Sequence, residues 1–222
     1  MIINIFSIFD PSSSPNLSLN WLRLFLLFIF LPLKFWFIPS RQSFIWTLFL
    51  NFLFNEFKIL LQFSLSNIIL FIRLLILIFF NNFLGLFPYI FTASRHINFC
   101  LSLSLSLWLC IITYRIINYL NDLLTHLTPQ GTPTLLIPFI VIIESISLII
   151  RPLTLAIRLT ANIIAGHLLL SLLGSSGQNI NNIIIIRIII FSQIILYSLE
   201  IAVSLIQAYV FSILSALYRK EI

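Results

Sequence analysis

The sequence predicts an all-α integral membrane protein, and composition and hydropathy are the observations that predict it. Hydrophobic residues make up 60% of the 222 positions, charged residues make up only 8%, and the mean hydropathy is +1.14. Soluble domains contain roughly 25% charged residues, so a water-soluble fold of this length could not bury so much apolar surface. The chain has room for about five or six apolar helices of the length that crosses a bilayer. No soluble domain fits beside them.

Three predicted elements occupy the first half of the chain. Residues 20–39 form an apolar run flanked by Trp21 and Trp36, which predicts one upright span with aromatic residues at both interfaces. Residues 40–66 interleave polar residues with Phe, Leu and Ile, and this pattern fits either a helix on the membrane surface or a connecting loop. Residues 67–120 predict a helical hairpin of two spans.

The second arm of the hairpin alternates serine with leucine at Ser102, Ser104 and Ser106. This spacing resembles the period of a β-strand, but an open strand cannot cross lipid because its edge groups would lack hydrogen-bond partners. We therefore predict a helix whose serines face neighbouring helices. The polar stretch 121–133, which contains proline and glycine, predicts a break after the hairpin.

Two unusually long apolar segments follow at 134–173 and 183–218, separated by an uncharged polar loop at 174–182. As helices they would be about 60 and 54 Å long at 1.5 Å per residue, whereas the hydrocarbon core is about 30 Å thick. Each segment is therefore either a hairpin of two spans or one steeply tilted helix. The last segment has no internal turn signal, which favours tilt there. The basic residues near the predicted span ends place the C-terminus on the matrix or cytoplasmic side.

Ionisable residues lie inside both long segments, although a charge at the membrane centre costs about 2.5–3.5 kcal/mol or more. Glu144, Arg151 and Arg158 are seven residues apart, so they share one helical face, and Asn162 continues that face one turn later. Apolar sequence on both sides of Arg158 keeps its side chain from reaching an interface. A functional charge therefore explains Arg158 better than a structural arginine that backbone carbonyls neutralise.

Antiparallel folding of the two long segments through the 174–182 loop predicts three facing pairs in a single register. The pairs are Glu144 with Glu221, Arg158 with Gln207, and His167 with Glu200. His167 nevertheless lies about 180° around the helix from Arg158. A central cation with an amide partner and a proton-exchanging pair at each end is the arrangement expected of two half-channels separated by a fixed charge.

Several sequence blocks resemble subunit a of F-type ATP synthases in its mitochondrial form. They are RPLTLAIRLTANIIAGHLLLSLLG at 151–174, LEIAVSLIQAYVFSILSALY at 199–218, NNFLGLFPYIFTAS at 81–94, HLTPQGTP at 126–133 and FDPSSSPNLSLNW near the N-terminus. The resemblance covers essentially the whole chain, and the overall style is similar to arthropod versions of the family. The N-terminus also lacks the features of a removable presequence, as expected of an organelle-encoded chain.

The resemblance implies a non-catalytic membrane subunit that couples proton flow to rotation of a proteolipid c-ring. It implies one upright span, a surface helix, a hairpin and two long tilted helices that wrap the ring. It also implies that Arg158 is the essential charge facing the ring carboxylates. His167 and Glu200 fall on the intermembrane-space access channel, and Glu144 and Glu221 fall on the matrix exit.

The implied partners are the c-ring, the peripheral stalk, the other membrane-sector subunits and inner-membrane lipid such as cardiolipin. The implied location is the mitochondrial inner membrane, with the C-terminus toward the matrix. No cofactor or metal is expected, and no nucleic acid, because the basic residues are scattered rather than clustered on one polar face. Asn81 and Asn82 precede the hairpin turn, and we expect at least one of them to line the water path beside Glu200 rather than merely pack between helices.

Two other classes of membrane protein fit the sequence less well. A secondary transporter would have inverted repeats and helices broken by glycine or proline in both halves, and the chain has only five glycines and no visible repeat. A proton-pumping subunit of a respiratory complex would place lysine and glutamate within its spans, whereas Lys34 and Lys58 lie near span edges.

Overall fold

The computed structural model describes eight ranges of the chain. They are residues 10–12, 18–26, 38–61, 64–87, 90–128, 133, 136–177 and 182–220. Most of the predicted first span at 20–39 lies outside these ranges, and so does the predicted site residue Glu221.

Helices account for almost all of the described residues. They are α1 Arg41–Leu61, α2 Leu65–Gly85, α3 Ile97–Asn118, α4 Leu120–Leu127, α5 Ile137–Gly177 and α6 Ile183–Lys220, with 3₁₀ segments at Leu19–Leu26 and Ala93–Arg95. All the α-helices except α4 are long and apolar enough to cross a membrane, and the described ranges contain no strand. The prediction of an all-α integral membrane protein is therefore confirmed.

The two long apolar segments are single helices rather than hairpins. Helix α5 has 41 residues and α6 has 38, which makes each about twice as long as the hydrocarbon core is thick. Helix α5 passes through Pro152, which is buried, and it extends four residues into the predicted 174–182 loop. Helices of this length must tilt steeply if they stay within the bilayer, so the expected tilt remains a prediction that their length supports.

The chain is also helical in two places where the sequence left other possibilities. Residues 41–61 form α1, which packs against α2 and α6, so the connecting-loop alternative for this stretch is wrong. Helix α4 occupies the first part of the predicted break at 121–133. Its leucines recur at intervals of three, one and three residues, which is an amphipathic helical pattern that the polar residues between them obscure.

Helix α6 is the centre of the packing, since α1, α2 and α5 all contact it. One cluster of buried apolar residues joins α2, α3, α5 and α6, and includes Ile78, Cys100, Ala156 and Phe211. A second cluster joins α1, α2 and α6 around Phe57, Phe71 and Ala216. These two clusters fix the antiparallel pair α5–α6 against the α2–α3 hairpin. The clusters thereby set the position along the helix axes of every polar residue described below.

The sequence led us to expect that the serines of α3 face neighbouring helices, but not all of them do. Ser104 is buried, but Ser102 and Ser106 are exposed. Each of these three hydroxyls donates a hydrogen bond to the backbone carbonyl three residues earlier. Because the hydroxyl is already hydrogen-bonded inside its own helix, it can face lipid without a partner on another helix.

Candidate functional site

A polar cavity lies where α2, α5 and α6 meet. Its volume is about 30 Å³, which is room for roughly one or two water molecules. Its polar lining is Asn82, Asn162, His167, Glu200, Ser204 and Gln207. Four of these six are residues that the sequence selected as proton-path or supporting positions.

Glu200 is the buried acid of the polar cavity. Its side chain is 9% exposed, and neither carboxylate oxygen accepts a hydrogen bond from any described residue. The carboxyl group lies directly on the backbone of α5 at Gly166, where an added Cβ would be 2.9 Å from Glu200 Cδ. A carboxylate with unused acceptor positions beside a water-sized space can exchange a proton with that water.

His167 lines the same cavity as Glu200 and is half-buried. The structure therefore brings together the two residues that the sequence placed at one end of the helix pair. Imidazole can donate and accept a proton near neutral pH, so the two side chains and one water could form a relay. The relay itself remains a prediction.

Asn162 and Gln207 form the polar link between the two long helices. Asn162 Nδ2 donates a hydrogen bond to Gln207 Oε1 at 3.1 Å, and Gln207 is only 6% exposed. The expected partner of Gln207 was Arg158, so the partner found lies one helical turn further along α5. Residue spacing fixes the direction in which a side chain points, but not which of two residues one turn apart a long side chain on the facing helix reaches.

Arg158 lies on the exposed face of α5, away from the polar cavity. Arg158 is exposed, whereas its neighbours Leu155 and Leu159 are buried. Within the described ranges its guanidinium has neither a hydrogen-bond partner nor an ion-pair partner. Asn162 is one turn away, and it is both exposed and part of the cavity lining. Asn162 therefore connects the cavity to the surface that carries Arg158.

The second predicted pair stays a prediction, because only one of its two members is described. Glu144 is half-buried on α5 and is absent from the lining of the polar cavity, and Glu221 lies outside the described ranges. Arg151, seven residues before Arg158, lies with its guanidinium carbon 5.1 Å from the centre of the Tyr218 ring. The described ranges contain no group of three His, Cys, Asp or Glu side chains that could hold a metal ion.

Asn82 lines the polar cavity beside Glu200, as expected for at least one of the two adjacent amides. It is 3% exposed, and neither its amide nitrogen nor its oxygen has a hydrogen-bond partner among the described residues. Asn82 also borders a second cavity of about 10 Å³, together with Asn81 and Ser94. A buried amide without partners usually has an ordered water beside it, and these two spaces are where such a water would fit.

Arg95 is the charged residue that sequence reasoning missed. It ends the 3₁₀ segment between α2 and α3, and the sequence suggested only a charge in a loop outside the membrane. Its positive charge acts on both Glu200 and His167. Burial lowers the pKa of Arg95 to about 10, and the Glu200 charge opposes that change. The only sequence signal was its position directly after three small residues, Thr92–Ser94.

Comparison with known proteins agrees with this picture. Residues 17–220 match the family model described as the ATP synthase A chain. The chain is 52% identical to ATP synthase subunit a of Drosophila simulans and of Anopheles quadrimaculatus, and 48% identical to that of Aedes albopictus. Each of these alignments covers the full length of both proteins. The resemblance to an arthropod-type subunit a is therefore confirmed.

Proposed function

Since the chain belongs to the ATP synthase A chain family, we propose that it is the stationary proton channel of the membrane sector and that Arg158 couples proton flow to rotation of a proteolipid ring. Family membership and the span-capable helices make it a multi-pass membrane-sector subunit that serves proton transport and ATP synthesis. Our proposal adds the mitochondrial inner membrane as its location and a matrix-facing C-terminus. It also adds the c-ring, the peripheral stalk and cardiolipin-containing lipid as partners.

The observation that supports the role of Arg158 is its exposed charge in the interior of a long apolar helix. Arg158 is exposed and has no partner among the described residues, and it lies on a helix that is long and apolar enough to span a membrane. An arginine facing hydrocarbon is strongly disfavoured, so the free energy is lowest when another subunit places an anion against it. The carboxylate of a ring subunit is such an anion.

In this proposal the polar cavity is the access half-channel. A proton from cavity water is taken up by Glu200, with His167 as a relay partner, and Asn82 holds water beside them. The hydrogen-bonded pair Asn162–Gln207 lies between this cavity and the surface with Arg158, so the proton reaches a ring carboxylate close to Asn162. On the other side of Arg158 the ring site releases its proton along an exit path.

Glu144 and Glu221 are the residues we assign to the exit path. Glu144 shares the Arg158 face of α5 by its spacing. It lies near the start of α5, whereas Glu200 of α6 contacts the second half of α5 at Gly166. The two paths therefore open toward opposite sides of the membrane.

Arg158 directs the proton because an opposite charge favours the ionised form of a carboxyl group. A ring carboxyl approaching Arg158 releases its proton to the exit path, and it is reloaded from the access path after it has passed. Because arginine keeps its charge in proteins, Arg158 also blocks direct leakage between the two paths. The membrane potential supplies roughly 2.3 kcal/mol per charge per 100 mV.

The test is Arg158→Ala in the assembled ATP synthase, reconstituted in liposomes. We expect proton-driven ATP synthesis to be abolished and the passive proton conductance per assembled complex to rise. Lysine should rescue poorly, because its ammonium is more strongly hydrated and can deprotonate when desolvated. Arg151→Gln is the matched control, since Arg151 packs on Tyr218, and it should leave coupling largely intact. Unchanged conductance together with intact synthesis in Arg158→Ala would refute the proposal.

A further inference from the structure

The 3₁₀ segment Ala93–Arg95 is built into the helix bundle rather than exposed as a turn. Thr92 and Ser94 are each 2% exposed, and the segment packs against α2, α3 and α5. Thr92 lies on Gly85, where an added Cβ would be 3.1 Å from Thr92 Cβ. Cys100 Sγ donates a hydrogen bond to the Ser94 carbonyl oxygen at 3.3 Å. The arginine at the end of the segment is therefore held on a fixed backbone.

From that backbone the charge of Arg95 acts on three titratable groups. They are Glu200 on α6, His167 on α5 and the adjacent His96. The His96 ring packs against the rings of Trp21 and Phe91. Burial together with the Arg95 charge lowers the pKa of His96, so its imidazole is neutral at pH 7. Arg95 itself remains cationic at that pH, with a pKa of about 10. Of these groups, the cation whose charge acts on the buried carboxylate is therefore Arg95.

We propose that Arg95 is a positioning residue for proton uptake, which compensates the buried charge of Glu200 and keeps the Glu200–His167 pair from holding its proton too tightly. The inference rests on the proposed access path through the polar cavity. It adds a residue from a different element, the 3₁₀ segment, to a path otherwise formed by helices.

The physical reason is the sign of the two interactions. A cation near a carboxyl group favours the ionised carboxylate, and the same cation near an imidazole disfavours the imidazolium. Both effects lower the affinity of the pair for a proton. Without Arg95, Glu200 would be a buried carboxylate with no hydrogen bond from the described residues, and such a group becomes protonated rather than remaining charged. A relay that stays protonated cannot pass the next proton.

The experiment measures ATP-driven proton pumping by the intact, reconstituted ATP synthase as a function of pH. In Arg95→Gln we expect the pH of half-maximal pumping on the acid side to rise by about one pH unit, the low end of the effect of a nearby opposite charge. Arg95→Lys, which keeps the charge, should give a smaller rise. Arg41→Gln is the matched control, because Arg41 is an exposed arginine at the start of α1 that does not line the polar cavity, and its profile should match that of the native protein.

A parallel Glu200→Gln variant separates this inference from the proposed function. If Glu200→Gln pumps normally, the access path itself is wrong and the inference falls with it. If Glu200→Gln stops pumping while the Arg95→Gln profile superimposes on the native one, only the role of Arg95 is overturned.

If Arg95→Gln fails to assemble, the double variant Arg95→Gln/Glu200→Gln decides the question. Charge compensation predicts that removing both charges restores the amount of assembled complex. A double variant that assembles no better than the single one would overturn the inference.

Discussion

Glu200 packs directly on Gly166 of α5, so Gly166→Ala perturbs the polar cavity by a single methyl group. The new Cβ would lie 2.9 Å from Glu200 Cδ and 3.1 Å from Cγ, and it would overlap Oε1. Ordinary contact begins at 3.4 Å, so Cδ must retreat by about 0.5 Å, from 2.9 to 3.4 Å, and the oxygen by more. The carboxyl group is at the end of a flexible side chain, and we expect it to swing away from α5.

The effect on stability should be small and the effect on proton transfer large. Alanine favours a helix over glycine by about 1 kcal/mol, while overpacking costs about 1–3 kcal/mol. The net loss in the free energy of unfolding is therefore about 0–2 kcal/mol. Displacing a reacting group by about 1 Å can slow a reaction roughly 100-fold, so with a displacement near half of that we expect pumping to fall about tenfold.

Gly174→Ala is the matched control, because Gly174 lies on the same helix and its added Cβ would come no closer than 3.8 Å, to Gln193 Nε2. It should gain the helical preference of alanine and keep the native pumping rate. The assay is ATP-driven acidification of liposomes, divided by the amount of assembled complex. A Gly166→Ala complex that assembles and pumps at the native rate would show that the position of Glu200 against α5 does not matter for proton transfer.

Three further substitutions test the polar contacts between helices. Asn162→Leu leaves the buried Gln207 amide without its donor and should lower the free energy of unfolding by about 1–3 kcal/mol. Changing both Asn162 and Gln207 to leucine should recover most of this loss, as measured by thermal unfolding. A double variant as unstable as the single one would contradict this prediction. Tyr209→Phe removes the 3.2 Å hydrogen bond that the tyrosine hydroxyl donates to Glu56. It should cost about 1 kcal/mol or less at this partly exposed site with pumping unchanged, and a loss of pumping would place Glu56 on the proton path. Asn82→Leu removes a buried amide without partners, so we expect a higher unfolding temperature with slower pumping. A stabilised variant that pumps normally would exclude Asn82 from the path.

The helices of this chain were largely predictable because lipid as a solvent demands long, uninterrupted apolar sequence. The predicted segment 134–173 corresponds to α5 at Ile137–Gly177, and 183–218 corresponds to α6 at Ile183–Lys220. The sequence could not decide between a hairpin and a single helix for the first of these, since a proline such as Pro152 can mark either a turn or a tolerated interior position. Helix α4 was missed because its polar residues are typical of a loop.

The sequence predicted which residues of the candidate site lie where the two long helices meet, but not every side-chain partner. Periodicity correctly placed Glu200 and His167 where the two long helices meet, because it reports which way a side chain points. Residue spacing does not determine which of two residues one turn apart a long side chain reaches, and Gln207 bonds to Asn162 rather than to Arg158. Arg95 was missed for a different reason. Whether a connecting segment is buried depends on contacts with distant helices, and Arg95 gives no periodic signal.

The self-paired serines divide the polar residues of this protein into two groups that should tolerate mutation very differently. A serine hydroxyl can donate a hydrogen bond to the backbone carbonyl three residues earlier in its own helix, as in α3, α5 and α6. Replacing such a serine with alanine therefore removes little beyond one local hydrogen bond. Amide, carboxylate and guanidinium groups on longer side chains cannot be satisfied this way and must find partners on another helix, in water or on another subunit. The serine content of the chain can therefore drift with little consequence for transport. Substitutions at its few long polar side chains are the ones that should impair transport.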